Sequence, residues 1–298
     1  MTAVTARDAL RRAGPLLELR PILVVSDFDG TLSPIVLDPW GALMLPLARR
    51  ALRRLAGAPG VHVAILSGRG AADVAERVRI GGARYLGNHG VESGRLARRQ
   101  RAGTLTIEVV TVAQHLADAA ERLATELPLS IPEPWLVVER KPPAVAFHFR
   151  GAPDVDAAGA RVRETVERLD PEQLLVRFPG RRVLELRPPG LPAKGEGMEL
   201  LLREHQPAVA FMLGDDVSDA EAFSALTAAR ARGVVEGLAI AVQARTEVPP
   251  AVAAAADLTL ASPVEAARFL AGLARRLAPR ARVMAVEAAD PADATADG

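Results

Sequence analysis

The sequence predicts an α/β fold: a doubly wound, Rossmann-like parallel sheet interrupted by an inserted α+β unit. Three observations carry this expectation. Short apolar, β-branched runs alternate with helical stretches at the start of the chain. That rhythm breaks after about residue 97, where strand-like segments of alternating polarity take over. It returns after residue 194 and runs to about residue 277.

Taken in order, Ile22-Leu23-Val24-Val25 reads as a buried strand between Pro21 and an Asp-x-Asp-Gly string. Residues 46–57 read as a helix, Val61 to Leu66 as a second buried strand and 71–79 as a second helix. Residues 109–127 predict an amphipathic helix with Val112, Leu116, Ala119, Ala120 and Leu123 on one side. Strands are expected at 135–139 and 143–149, a helix at 155–169, and strands near 173–178 and 182–187. Val145, Phe147 and Phe149 alternate with Ala146, His148 and Arg150, as in a sheet with one wet face. A helix at 194–204, a strand at 208–213, a helix at 218–229, a strand at 238–242 and a helix at 263–277 restore the α/β pattern. The implied organisation is a core of residues 1–97 and 187–280 and an insert of 98–186. Residues 281–298, rich in Ala, Asp and Pro, are expected to be disordered.

Composition narrows the function. The 298 residues are 49% hydrophobic and only 3% aromatic, so Leu, Val, Ile and Ala must build the core. A net charge of +1 gives no field for nucleic acid or an anionic membrane. The absence of cysteine excludes disulfides, thiolate metal sites and a cysteine nucleophile. No stretch has signal-peptide character or bilayer-spanning length. A cytoplasmic protein with a small-molecule partner, monomeric, is the expectation.

The chemistry-bearing residues fall at strand ends and helix starts. Asp27 and Asp29 follow the first strand, and Gly30 lets the chain turn so that both address one site. One carboxylate can act as nucleophile and the other can move a proton. The bland alternative is a solvated Asp-Gly turn. Gly214-Asp215-Asp216 follows another strand, with Asp219 at the next helix start; clustered hard oxygens of this kind suit Mg²⁺. Helix capping accounts for one or two of these acids but not all three. Ser67-Gly68-Arg69 precedes a helix, where a hydroxyl and free N–H groups can cradle phosphate. Lys194 opens another helix, where the dipole disfavours a cation, so it reads better as an anion ligand. For the bland reading to stand, each of these sites would need its own separate explanation.

Asp27-x-Asp29-Gly30-Thr31, Ser67, Lys194 and Gly214-Asp215-Asp216 resemble, in order, the four motifs of haloacid-dehalogenase-like phosphatases. The insert resembles the large cap of their sugar-phosphatase branches. Ser67-Gly68-Arg69, Gly87-Asn88-His89-Gly90-Val91-Glu92 and Glu139-Arg140-Lys141, leading to Phe147-His148-Phe149-Arg150, resemble the trehalose-6-phosphate phosphatase family. So do Val183-Leu184-Glu185-Leu186-Arg187-Pro188 and Gly214 to Asp219. The likeness covers about residues 22–275. Ser218 stands where the family usually has Thr, and Ala220-Glu221 where it has two acids.

The resemblance implies a hydrolase core with an inserted cap, and a set of roles. Asp27 would attack phosphorus and Asp29 would serve as acid, then base. Mg²⁺ would be held by Asp27, the Asp29 carbonyl and Asp215, supported by Asp216 or Asp219. Ser67 and Lys194, with Thr31, Gly68 and Arg69 nearby, would meet the phosphate. Glu139, Lys141 and Glu185 would bind sugar hydroxyls, with Arg150, Asn88 and His89 at the core–cap junction. His115, His148 and His205 are taken as structural, and Arg98, Arg99 and Arg101 as a solvated hinge. Other sugar phosphates (sucrose phosphate, glucosylglycerol phosphate, mannosylglycerate phosphate) and a non-catalytic regulatory domain are the competing readings. A phosphomutase fits less well, because Thr31 to Ser67 leaves little room for its smaller cap.

Overall fold

The computed structural model describes residues 2–36, 39–97, 105–180 and 182–278. Its main sheet has eight strands, with the first at the centre. β1 (Ile22–Ser26) lies between β10 (Val209–Gly214) and β2 (Val61–Leu66), both parallel to it. Beyond β10 come β11 (Glu236–Val242) and β12 (Leu258–Leu260). Beyond β2 come β3 (Arg84–Gly87), β4 (Glu92–Arg95) and β5 (Ile107–Val109), the last two antiparallel.

Period-two alternation divides each buried strand between two cores. Ile22 and Val24 of β1, with Val63, Ile65, Phe211, Leu213 and Ile240, face α1 (Ala6–Ala13), α2 (Pro46–Gly57), α3 (Ala71–Val78) and α9 (Pro263–Leu277). Leu23 and Val25, with Ala64, Leu66, Met212 and Ala239, face α6 (Lys194–His205), α7 (Val217–Ala231) and α8 (Pro250–Ala255). Each fully buried Leu, Ile, Val or Phe contributes about 1.5–3 kcal/mol. The central strands are therefore the most firmly held, and the site hangs from their ends.

The second sheet is antiparallel, in the order β6 (Val137–Lys141), β7 (Ala144–His148), β9 (Val183–Arg187), β8 (Val176–Gly180). Val145, Phe147, Leu184 and Leu186 pack beneath α4 (Gln114–Ser130) and α5 (Val155–Leu169) in a separate core. The opposite face is the wet one. Cross-strand register puts Glu139, Ala146, Glu185 and Phe178 in one row across it.

The expected helix over 109–127 is corrected by these findings. Residues Ile107–Val109 form β5 instead, pairing Glu92 with Val109 and Gly94 with Ile107, and the helix starts at Gln114. An available sheet edge outweighs local helical periodicity for a β-branched run. The short elements α1, β3, β4, α8 and β12 were not predicted, and several boundaries shift by one to three residues at frayed ends. The expected disordered tail at 281–298 and the charge run at Arg98, Arg99 and Arg101 lie outside the described residues. No described helix is long and apolar enough to cross a membrane.

Candidate active site

The site is assembled at the carboxyl edge of the main sheet. The Asp27 N–H donates to the Leu213 carbonyl at 2.9 Å, so Asp27 extends the β1–β10 ladder by one residue. The chain then turns on the Phe28 carbonyl, which accepts from the N–H groups of Thr31, Leu32 and Ser33. Gly30 is required twice over. Its φ is +75°, and a Cβ there would lie 2.1 Å from Oδ2 of Asp215.

Behind Asp27 sits a sealed ionic cluster. Lys194, at the first turn of α6, is 2% exposed. Its ammonium donates to Oδ1 of Asp27 at 2.8 Å and to Oδ1 of Asp219 at 2.7 Å. The other oxygen of Asp219 accepts from the N–H groups of Asp215 and Asp216 at 3.0 and 3.1 Å. Asp219 thus holds both Lys194 and the β10–α7 turn. Thr31 donates to Oδ1 of Asp215 at 3.3 Å.

Carboxylate oxygens of Asp27, Asp215 and Asp219 lie within 4.8 Å of one another. One ammonium cannot neutralise three buried acids. Burial raises the Asp27 carboxyl to about 8: Lys194 opposes this, while Asp219 and Asp29 add to it. Burial likewise raises Asp215 to about 9, helped by repulsion from Asp27 and Asp219. Burial alone would lower Lys194, but Asp219 and Asp27 more than reverse this and hold it charged. Crowded hard oxygens whose ionised forms are disfavoured by burial and mutual repulsion fit a divalent cation such as Mg²⁺, which would favour those forms.

Asp29 points elsewhere. Arg69 grips both of its oxygens, Nε to Oδ2 at 2.6 Å and Nη2 to Oδ1 at 2.8 Å. Arg69 also donates to Asp73 at 3.1 Å, and its guanidinium lies 5.5 Å from the centre of the Phe28 ring. The side chain of Asp29 is 44% exposed, whereas that of Asp27 is 6% exposed, so the two acids sit in unlike surroundings.

A cleft of about 280 Å³ opens over these groups. Asp27, Asp29, Lys194, Asp215, Asp216, Gly68, Arg69 and His89 line it from the core, Glu139, Lys141 and His148 from the second sheet, and Arg150 from just past β7. Lys141 spans the two, with Nζ 3.4 Å from the Gly68 carbonyl and 3.5 Å from carboxylates of both Glu139 and Glu185. Glu185 stands two strands away on β9, does not line the cleft and reaches it through that ammonium. A larger groove of about 790 Å³ between α1 and α9 carries no such convergence of acids.

Other expected residues lie beneath or beside the cleft. Ser67 and Thr31 are buried and do not line it; the Ser67 hydroxyl accepts the Arg69 N–H at 3.2 Å. Asp216 is the N-cap of α7, taking the Val217 N–H at 2.8 Å, and stands outside the acidic cluster. Asn88 donates to Glu92 at 2.5 Å, and Asn88 and His89 both hold positive φ. Burial keeps His89 well below the usual histidine range, and Lys194, Lys141 and Arg187 push it the same way. A Cβ on Gly68 would meet the His89 ring at 2.9 Å, so glycine lets the imidazole close over the turn.

Sequence reasoning took His148 as structural, yet it lines the cleft and its Nε2 lies 2.8 Å from Oε2 of Glu139. The alternation of β7 already put it on the face of Ala146; only the pairing with β6 adds Glu139. Ile35, Val36, Ser218 and Arg245 also line the cleft and were missed. Arg245 lies just past the carboxyl end of β11, a position where ligand-binding residues gather in such sheets.

An α/β sheet with acids at the ends of β1 and β10, a buried lysine between them and a second sheet beside the cleft is the fold of haloacid-dehalogenase-like hydrolases. A solved haloacid dehalogenase-like hydrolase from Bacteroides thetaiotaomicron superposes with a TM-score of 0.56 at 17% identity, over 84% of this chain and 97% of its own. The trehalose-6-phosphate phosphatase C-terminal domain of C. albicans superposes with a TM-score of 0.68 at 22% identity, over 91% and 97%. The family described as trehalose-phosphatase matches residues 25–263. The chain is 37% identical over 277 residues to a trehalose-phosphate phosphatase of Mycobacterium avium, covering 91% of this chain and 67% of that one. The chain belongs to the trehalose-phosphatase family and spans about two thirds of the length of the curated relatives it matches.

Proposed function

We propose that the protein is a cytoplasmic, Mg²⁺-dependent phosphatase that hydrolyses trehalose 6-phosphate to trehalose and inorganic phosphate. The observation that carries this reading is the placement of Asp27, held by Lys194 at 2.8 Å, in a cleft that Glu139 and Lys141 line from the second sheet, with Glu185 3.5 Å from the Lys141 ammonium. In the first step a carboxylate oxygen of Asp27 bonds to phosphorus as the bond from phosphorus to the sugar oxygen breaks. Asp29 donates a proton to that departing oxygen. In the second step Asp29 takes a proton from water, whose oxygen attacks the phosphorus of the aspartyl-phosphate. Phosphate leaves and the Asp27 carboxylate is restored.

Lys194 restrains Asp27 and, with Ser67 and the N–H groups around Gly68, supplies positive charge to the phosphate oxygens. Asp27, Asp215 and the Asp29 carbonyl would hold Mg²⁺. Asp216 stands beside them, and the two oxygens of Asp219 already serve Lys194 and the turn. When bound, the metal neutralises phosphate charge so that an anionic nucleophile can approach. The second sheet with α4 and α5 acts as the cap, and its carboxylates and ammonium make charge-assisted hydrogen bonds to sugar hydroxyls. His148 orients Glu139 for that task.

The test is phosphate release from trehalose 6-phosphate, sucrose phosphate, glucosylglycerol phosphate and mannosylglycerate phosphate, with Mg²⁺ and with excess chelator. The highest specificity constant belongs to trehalose 6-phosphate on this reading. Preference for another member of the panel reassigns the substrate, and full activity in chelator removes the metal. No release from any of them removes the phosphatase reading.

A further inference from the structure

We propose that Asp73 and Arg77 are positioning residues for Asp29, acting through Arg69. This rests on the reading of Asp29 as proton donor. Asp73 and Arg77 lie one turn apart on the same side of α3, and Arg69 stands just before the helix begins. Arg69 holds both oxygens of Asp29 and reaches back to Oδ2 of Asp73 at 3.1 Å. Arg77 Nε closes on both oxygens of Asp73, at 2.9 and 3.0 Å. Arg77 Nη1 then donates to the carbonyls of Trp40 and Ala42 at 3.0 and 2.9 Å, on the segment that follows the Asp29 turn. The path leaves Asp29, runs down α3 and returns to the chain that carries Asp29.

This arrangement is more than the stability of exposed charges requires. Asp29 is 44% exposed and Asp73 35% exposed, and pairs of that exposure contribute at most about 1 kcal/mol. What a two-pronged guanidinium does fix is the plane of the carboxylate it holds. Arg69 is itself held on two other sides, by Asp73 and by the face of Phe28. A proton donor must lie within hydrogen-bond reach of the departing oxygen, so that plane decides how well Asp29 works. Neither Asp73 nor Arg77 lines the cleft; their part is to keep Arg69 from turning.

The test uses the leaving group. A sugar alkoxide needs a proton as it departs, whereas 2,4-dinitrophenolate does not. kcat/KM covers the steps up to the first irreversible one, which is cleavage of the ester. Asp73→Asn and Arg77→Gln should each lower kcat/KM for trehalose 6-phosphate about ten- to hundredfold, and for 2,4-dinitrophenyl phosphate less than about threefold. In an Asp29→Asn background, measured with phenyl phosphate, adding either change should deepen the loss no further. Arg77→Gln carries the test alone if Asp73→Asn does not fold. Equal losses on both esters, or an undiminished loss in the Asp29→Asn background, overturn the proposal. A wild-type chain inert toward every ester would instead overturn the phosphatase reading itself.

Discussion

The ammonium of Lys194 stands 2.8 Å from Oδ1 of Asp27, and the two side chains are 3% and 6% exposed. Lys194 also touches Asp219 at 2.7 Å, so one cation is shared by two acids that water barely reaches. Removing one partner of a buried pair strands the other charge, at about 3–5 kcal/mol. Lys194→Met should therefore melt below wild type by a margin that widens as the pH rises through about 8, where Asp27 ionises beside Lys194, with part of the loss recovered by Asp219→Asn in the same chain. Thermal melts of the single and double variants check this. A Lys194→Met protein as stable as wild type would show that the acids are neutral there.

Asp27→Asn keeps the shape of the site and removes the proposed nucleophile, and should abolish phosphate release from every ester. Measurable turnover by this variant, freed of contaminating wild type, would end the covalent reading.

Gly30→Ala should be severe although it adds one methyl group. The new Cβ would fall 2.1 Å from Asp215, on a residue with φ of +75°. Loss of Mg²⁺ binding by calorimetry, in a chain that still shows native circular dichroism, is the expected result. Unchanged affinity would mean that Asp215 moves aside freely.

Mg²⁺ should stabilise the fold as well as support turnover. A ligand at about a hundred times its dissociation constant adds about 2.7 kcal/mol. Thermal melts should rise with Mg²⁺ in wild type and stay flat in Asp215→Asn. An equal rise in both would place the ion elsewhere.

The cap face should govern specificity. Glu139→Ala, Lys141→Ala and Glu185→Ala each remove a charged hydrogen bond, at roughly 1.5–3 kcal/mol or about one to two powers of ten in kcat/KM for trehalose 6-phosphate. The ratio of that constant to the one for a small aryl phosphate should fall by the same factor. Equal losses on both esters would move the role of these residues from recognition to folding or closure.

Much of this was legible in the residues themselves. Asp27, Asp29 and Asp215 follow apolar runs that could only be central strands, and the carboxyl ends of such strands gather at one edge. Lys194 declared itself by standing at a helix start where a cation is unwelcome. The misses came from long-range pairing. Nothing near Ile107 says that a sheet edge awaits it, and nothing near His148 says that Glu139 lies across the strand. The ion pairs of Arg69 with Asp29 and Asp73 are equally hidden in the sequence, because those acids approach it only after the chain turns at Gly30 and α3 forms.

β1 has a further consequence, one of timing. The central strand finds its partner in β10, with Ile22 against Val209, and the whole cap is encoded between them. As the chain is made from its N-terminus, β1 emerges early and must wait with one apolar edge bare, while β6 to β9 already have all their partners at hand. Contacts so distant in sequence are slow to form, and unpaired strand edges are prone to associate with other chains. The second sheet is thus placed to fold on the ribosome before the main sheet can close. A nascent chain truncated before Val209 should show a protease-resistant cap attached to a protease-sensitive N-terminal segment.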